Sequence, residues 1–332
     1  MATLRELRDR IRSVNSTKKI TKAQELIATS RITKAQQRVE AAQPYANEMQ
    51  DMMERLVSAT NLDHPMLRER ENGKVAAMLV VTSDRGMAGG YNHNVLKKAG
   101  ELERMLRDNG YDVVRYITGG KGVSHYDFRD QEIAGEWTGW SQDPSWESTH
   151  DVRQHMIQGF EASSEGEAKW RNGLRSTEGQ AVRGFDQVHV VYTKFVSMLS
   201  QEATVHQLLP IEPVFHDVEF EQEDLLNTSG NVLPDMDFEP DAETLMEQLL
   251  PAYVSRSLYS IFLEASAAES ASRRTAMKNA TDNATELAGE LSREANQLRQ
   301  AKITQEITEI IGGAGAPVSY THLRAHETDS YL

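Results

Sequence analysis

The feature that most constrains this chain is a long helix-forming run at its amino terminus. The first 43 residues contain neither proline nor glycine. Apolar residues follow the steps of a coiled-coil heptad, at Leu4, Leu7, Ile11 and Val14. After a one-residue phase slip we expect the seam to continue through Ile20, Ala23, Ile27 and Ser30. The pattern predicts a coiled-coil helix over residues 1–60, about 60 Å long over its first forty residues and kinked or interrupted at Pro44.

A second long helix is predicted at the other end, over residues 241–314, with Pro251 beginning or kinking it. Small residues recur along it, at Ala265, Ala268, Ser272, Ala276, Ala280, Ala284 and Ala288. A four-residue step turns about 40° round a helix, so the small residues wind round it. Small side chains allow two helices to approach closely. The two ends of the chain are therefore expected to form an antiparallel coiled coil.

The middle of the chain, residues 74–214, reads as a Rossmann-like α/β domain. Three runs rich in Val and Ile predict strands over 74–83, 111–118 and 186–195. Amphipathic segments predict helices over 94–110 and 152–163. Strands that alternate with helices favour an α/β sheet. The fold class is thus a mixture of a long antiparallel coiled coil and a central α/β domain.

Three segments fall outside these elements. Residues 163–179 are polar and rich in glycine, which indicates a surface insertion. Residues 215–240 read as an acidic connector, because residues 211–250 contain twelve Asp and Glu and no Lys or Arg. The tail over 315–332 has no helical periodicity, and we expect it to be disordered or an artefact of sequence assembly.

Composition and charge limit the possible functions. The 332 residues include no cysteine, which excludes disulfides and thiolate chemistry and fits a cytoplasmic protein. We see no signal peptide and no apolar run long enough to span a membrane. The net charge is −14, yet residues 1–40 carry ten basic and four acidic side chains. A basic arm can bind nucleic acid or anionic lipid, but this one has no aromatic residue before Tyr45 for base stacking. A helix whose charged face meets an acidic protein partner or solvent is therefore favoured.

Two glycine-rich turns raise the question of a nucleotide site. "SDRGMAGGYN" (83–92) lacks the Lys-Ser/Thr ending of a phosphate loop and the spacing of a dinucleotide fingerprint. "ITGGKGVSHY" (117–126) has no Ser or Thr beside Lys121. Both turns are better explained as strand-to-helix connections. Asp84 and Arg85 suit a polar surface contact, while a nucleotide-binding α/β enzyme stays an alternative.

Other patterns give no catalytic, cofactor or metal site. His150 and His155 are five residues apart, which misses one face of a helix. The four tryptophans, Trp137, Trp140, Trp146 and Trp170, favour core or loop packing over a binding patch. Near the end of the chain, polar groups at helical spacing could form a docking surface or a solvated face; these are Arg299, Gln300, Thr304, Gln305 and Glu309.

Five motifs in this order closely resemble the γ subunit of F-type ATP synthases. They are "IRSVNSTKKITKAQELIATSR" (11–31), "SDRGMAGGYN" (83–92), "TKFVSMLSQEATVHQLLP" (193–210), "AESASRRTAMKNATDNA" (268–284) and "RQAKITQEITEIIGGA" (299–314). The resemblance runs from residue 1 to about 314. The insertion at 163–179 resembles a loop of actinobacterial members, whereas the tail resembles nothing in the family.

The resemblance implies a non-catalytic rotary shaft at the cytoplasmic face of the cell membrane. Its implied partners are three α and three β subunits, the ε subunit and the c-ring; it implies no nucleic acid, no cofactor, and a membrane reached only through the c-ring. Arg299 and Gln300 match a pair that catches a β-subunit loop, and Thr304 and Gln305 extend that surface. Lys18, Lys19 and Lys22 match a basic stretch that faces acidic β loops, and "SDRGMAGG", with Asp84 and Arg85, matches a segment that approaches β.

The sequence departs from the family at Gln24 and Ala88, where Met and Cys are frequent, so the fine contacts there are open. A static coiled-coil scaffold is the third alternative. It would have the same two long helices but no rotating partners.

Overall fold

The computed structural model describes residues 3–59, 64–70, 73–177, 180, 182–211 and 242–314. The acidic connector at 215–240 and the tail at 315–332 lie outside the described residues.

Two long helices occupy the ends of the described chain. Helix α1 spans Leu4–Ala59 and helix α5 spans Ala242–Ala314. Both continue through an internal proline, Pro44 in α1 and Pro251 in α5. Of the two expectations for Pro44, a kink or an interruption, the interruption was therefore wrong: the missing N–H costs one hydrogen bond, which helical residues on both sides can outweigh.

The central sheet has five strands in the order β3-β2-β1-β6-β7. Its strands are β1 (Val75–Val81), β2 (Asp112–Thr118), β3 (Gly135–Trp137), β6 (Gln187–Phe195) and β7 (Gln201–Leu209). β1 lies parallel to β2 and β6, β2 parallel to β3, and β7 antiparallel to β6. The three strands predicted at 74–83, 111–118 and 186–195 are thus β1, β2 and β6, and the fold class is confirmed.

Helices connect the parallel strands, as the alternating pattern predicted. They are α2 (Tyr91–Asp108), α3 (Gly120–Asp127) and α4 (His150–Ala162), with a short 3-10 helix at Pro65–Leu67. α2 begins three residues before its predicted start. The short α3 was not predicted, because its glycine-rich sequence has a low helix propensity and is read as a turn.

Strand β1 is buried along its whole length and shows how the core is divided. Alternate side chains of a strand point to opposite faces of the sheet. Val75, Ala77, Leu79 and Val81 belong to a core that includes α4 and the first turns of α5. Ala76, Met78 and Val80 belong to a second core with α2. Helices therefore cover both faces of the sheet, which explains the continuous apolar sequence of β1.

The segment predicted as a surface insertion is attached to the domain. β4 (Glu167–Ala168) pairs with β5 (Val182–Arg183) in a two-stranded sheet. The side chain of Leu174 is buried in the first core, and Arg175 forms ion pairs with Asp127 and Glu136. These contacts hold the segment against α3 and β3.

The described chain divides into two compact units. The first consists of α1 up to Thr21 and α5 from Ala280 onward, and the second runs from Lys22 to Asn279. In the first unit, Leu7 of α1 packs in a cluster with Leu291 and Ala295 of α5. The hydroxyl oxygens of Thr21 and Thr281 lie 2.7 Å apart in a buried hydrogen bond. Residue numbers rise along α1 while they fall along α5, so the ends pair antiparallel, as predicted.

The predicted phase slip in α1 was wrong. Ile20 and Ile27 are 59% and 52% exposed, and Ala23 and Ser30 are also exposed. The buried positions instead keep an unbroken heptad, at Leu7, Thr21, Glu25, Ala28, Ile32 and Ala35. The seam uses polar Thr21 and Glu25, which an apolar-residue search passes over in favour of the neighbouring isoleucines.

Candidate partner-contact surface

The glycine turn at residues 83–92 adopts a defined shape after β1. Ser83 N donates to Asn92 Oδ1 at 2.9 Å, which ties the start of the turn to α2. Met87 and Gly89 have φ angles of 60° and 58°. Residues other than glycine rarely adopt such an angle, although Met87 does so here. The turn therefore presents Arg85 and Met87 outward, both exposed.

Helix α5 holds this turn through hydrogen bonds to its backbone. Ser272 Oγ donates to Ala88 O at 2.7 Å. Arg273 Nη2 donates to Arg85 O at 3.0 Å and to Gly86 O at 3.3 Å. Hydrogen bonds thus join two of the motifs recognised in the sequence, 83–92 and 268–284.

A buried ion pair supports Arg273. Its Nη1 lies 2.7 Å from Glu269 Oε1, and Gln142 Nε2 donates to the same oxygen at 3.2 Å. Burial raises the pKa of Glu269, while Arg273 and the hydrogen bonds oppose that shift. Sequence reasoning did not select Glu269 or Arg273, because an i, i+4 pair of opposite charges is common on any helix.

The amide groups that could hold a phosphate at the second glycine turn are already bonded. Asp84 Oδ1 accepts from Gly120 N at 3.0 Å, and Thr82 Oγ1 accepts from Gly122 N at 2.9 Å. Asp84 Oδ2 accepts from Ser141 N at 2.9 Å. A carboxylate of the chain thus occupies the start of α3, where an anion would bind. Both carboxylate oxygens of Asp84 accept hydrogen bonds within the fold. Arg85 is exposed, so it is the residue of this pair that can make the polar contact expected for the turn.

A row of basic side chains on α1 lies beside this turn. Arg31, Lys34 and Arg38 line a cleft of 210 Å³ with Gln142 and Asp143. Arg31 also lines a neighbouring cavity of 130 Å³ with Arg85 and Arg273. In the sequence these α1 residues stand out only as part of the basic arm. Their steps of three and four place them within about 60° on one helix face, which is the signal that could have found them.

The other predicted contact residues occupy helix surfaces. Lys19 and Lys22 are exposed and Lys18 is half-buried; Lys22 Nζ lies 3.0 Å from Glu25 Oε2. On α5, all four predicted residues are exposed, namely Arg299, Gln300, Thr304 and Gln305. The structure brings these four together on two turns of one helix.

Apolar side chains share that part of α5, which the sequence analysis treated as a polar surface. The exposed residues include Ile303, Ile307, Ile310 and Ile311. Their steps of three and four are typical of a helix face that packs against another surface. This end of α5 therefore carries polar and apolar contact groups together.

Comparison with known proteins decides the family. The model of the family described as ATP synthase matches residues 3–316. The ATP synthase gamma chain of Corynebacterium glutamicum (strain R) is 73% identical over 317 residues, covering 95% of this chain and 98% of the relative. The chain belongs to the ATP synthase γ chain family. The γ chain of Nocardia farcinica is 52% identical over 323 residues, covering 96% of this chain and 98% of its own.

Solved structures show the same fold at lower identity. A chain of the Euglena gracilis mitochondrial ATP synthase rotor matches with a TM-score of 0.58 and 16% identity, covering 90% of this chain and 98% of that one. A chain from the central stalk and c-ring of the Tetrahymena thermophila mitochondrial ATP synthase matches with a TM-score of 0.50 and 21% identity, covering 79% and 99%.

The γ-chain assignment confirms the actinobacterial resemblance and the expectation of a non-catalytic subunit of ATP synthase. It decides against the nucleotide-binding enzyme and the static scaffold. Among the described residues, no helix has an apolar stretch long enough to cross a membrane. The same part of the chain holds no group of three potential metal ligands.

Proposed function

We propose that this γ chain is the central rotary shaft of an F-type ATP synthase. It carries torque between a proton-driven c-ring and a catalytic hexamer of three α and three β subunits, and it also contacts the ε subunit. It sits at the cytoplasmic face of the cell membrane, which it reaches only through the c-ring.

The observation that carries this proposal is the antiparallel pairing of the two chain ends. Leu7 packs with Leu291 and Ala295, and Thr21 bonds Thr281 across the same pair of helices. Two helices locked together resist twisting better than one, because each must slide along the other to turn. A shaft needs that stiffness, whereas an enzyme with its own active site does not.

The turn at 83–92 supplies a point where force can enter the shaft. Arg85 is exposed, while its backbone is held by the buried Arg273 of α5. A push on Arg85 therefore reaches α5 directly. With Arg31, Lys34 and Arg38 nearby, this surface would attract acidic loops of the β subunits. Lys18, Lys19 and Lys22 would face such loops along α1.

The end of α5 supplies a second contact. Arg299 and Gln300 can donate to carboxylate and carbonyl groups of a β-subunit loop. Thr304 and Gln305 lie one turn further on. The hydroxyl of Thr304 bonds Gln300 O, and Gln305 Nε2 bonds Glu309 Oε1 at 2.9 Å. The side chains of Thr304 and Gln305 thus bond within α5, whereas Arg299 and Gln300 are the residues proposed to bond the β subunit.

The test is a pair of double variants in the assembled ATP synthase. Arg299→Ala with Gln300→Ala should lower ATP-driven proton pumping roughly ten- to a hundredfold, because a charge-assisted hydrogen bond contributes about 1.5–3 kcal/mol. Arg293→Ala with Gln297→Ala is the matched control, since both side chains are exposed on the same helix. Equal rates in the wild type and in the first variant would rule out the contact.

The shaft itself is tested by composition. The purified complex should contain one copy of this chain for three α and three β subunits. Recovery of the chain as a homodimer without those subunits would favour the scaffold.

A further inference from the structure

A second basic cavity lies away from the turn at 83–92, between the start of α4 and the first turns of α5. Its volume is 430 Å³, and its lining includes Trp146, His150, Arg153, Ser255 and Arg256. None of these residues belongs to the surface proposed to meet the β subunits. Trp146 differs from the packed tryptophans expected for this domain, because it is 45% exposed.

Arg153 is a buried cation whose hydrogen bonds all go to neutral groups. It is only 1% exposed. Nε donates to Thr149 Oγ1, Nη1 to Ser255 Oγ and Nη2 to Trp146 O. A guanidinium has five N–H groups, so these bonds leave two donors over. Within the described ranges no carboxylate pairs with Arg153, although buried charges are normally paired.

A second guanidinium adds to the positive potential. The Cζ atoms of Arg153 and Arg256 lie 3.5 Å and 5.6 Å from the centre of the Trp146 ring. Burial, and to a smaller extent Arg256, lowers the pKa of Arg153 to about 10, while Tyr259 opposes that shift. Arg153 therefore stays charged at neutral pH.

The backbone contributes in the same direction. α4 begins at His150, so the positive end of its helix dipole lies at this cavity. Asp151 is also in that first turn, but its side chain does not line the cavity. Two arginines, a histidine and a helix start thus surround the space.

We infer that this cavity binds a small oxyanion of the phosphate class, with Arg153 and Arg256 as its cationic partners. Arg153 lines the cavity and is held in place by Thr149, Ser255 and Trp146, so its positive charge is fixed there before an anion binds. The phosphate group can come from inorganic phosphate, from a nucleotide or from a phospholipid headgroup.

The first test measures binding of inorganic phosphate to the purified full chain at constant ionic strength. Phosphate should quench or enhance Trp146 fluorescence saturably and raise the midpoint of thermal unfolding. Arg256→Gln should weaken the phosphate affinity about tenfold, as expected for the loss of one charge-assisted partner. Arg104→Gln, an exposed arginine on α2, should leave the affinity unchanged.

Arg153→Met should abolish phosphate binding. Because the Arg153 side chain is buried, this variant could fail to fold, and in that case the Arg256→Gln variant decides the result. Trp146→Phe should remove the fluorescence change and keep the thermal shift. No saturable response to phosphate, or an equal response in the Arg256→Gln variant, would overturn the proposal.

The source of the phosphate group is distinguished in two further arms. Competition by ATP without magnesium would identify a nucleotide, and sedimentation with vesicles of anionic phospholipid that depends on Arg256 would identify a headgroup. Binding of inorganic phosphate alone would identify the free ion.

Discussion

At the residue scale, Asp186 shows how one carboxylate can organise the base of a sheet. Its oxygens accept from Lys74 N at 2.8 Å, Val75 N at 3.1 Å and Ser164 N at 3.0 Å. Arg70 Nη1 lies 3.3 Å away. Burial alone would raise the pKa of Asp186, but these hydrogen bonds outweigh it and lower the pKa to about 2. The ionised form thus stabilises the start of β1.

The prediction for Asp186→Asn is a loss of about 2 kcal/mol of unfolding free energy at neutral pH. The folded pKa lies below the ordinary value of Asp, so this stability is complete above about pH 4 and is lost as the pH falls towards 2. Urea titrations between pH 2 and 7 measure it. Asp112→Asn is the control, since its pair with Arg183 is exposed and should contribute less than about 1 kcal/mol. Equal losses in both variants would contradict the assignment.

Two glycines, Gly119 and Gly100, differ in whether the structure requires a glycine at their position. Gly119 has a φ of 91°, and a Cβ there would lie 2.1 Å from Thr82 O. Gly100, inside α2, has nothing within 4 Å of a Cβ. Gly119 in the second turn therefore allows close packing against Thr82, the residue that follows β1.

Gly119→Ala should destabilise the chain by at least about 3 kcal/mol, because both the backbone angle and the space are unsuitable. Gly100→Ala should stabilise it by up to about 1 kcal/mol, since alanine is the better helix former. Thermal unfolding of the two variants gives the comparison. A mild effect of Gly119→Ala would mean that the turn can move away from β1.

At the scale of the element, α1 shows what an amphipathic pattern can and cannot predict. The first seam residues, Leu7 among them, were predicted correctly because they are apolar and regularly spaced. Beyond residue 14 the apolar pattern favoured Ile20 and Ile27, yet Thr21 and Glu25 are the buried residues. A threonine that finds a hydroxyl partner, as Thr21 does in Thr281, is invisible to a search for apolar side chains. The sequence of one helical segment does not show which hydrogen-bond partners a distant helix will provide.

Replacement of two isoleucines tests that correction. Ile32 is 1% exposed. Ile32→Ala should therefore lower the free energy of unfolding of the chain by about 2–5 kcal/mol. Ile27→Ala, five residues earlier on the exposed face, should change it by less than about 0.5 kcal/mol in the isolated chain. Chemical denaturation of both variants decides the register. A larger loss from Ile27→Ala would restore the phase slip.

At the scale of the whole molecule, the plan of helix, α/β domain and helix was readable because each part has its own periodicity. The contacts between distant segments were not readable. Nothing in "SDRGMAGGYN" shows that Arg273 holds its backbone, or that the Asp84 carboxylate is used by Gly120 and Ser141. Likewise, Arg153 reads as an ordinary helical arginine until its neighbours in space are known.

Deletion at the carboxyl terminus tests which part of the chain the assembly needs. Residues 316–332 lie outside the described residues and, apart from residue 316, beyond the family match, which ends there. We expect their removal to leave assembly with the α and β subunits intact. Removal of residues 290–332 should abolish it, because Leu291 and Ala295 are then missing from the cluster around Leu7. Co-purification measures both variants, and loss of assembly on removal of 316–332 alone would show that the tail is part of the working protein.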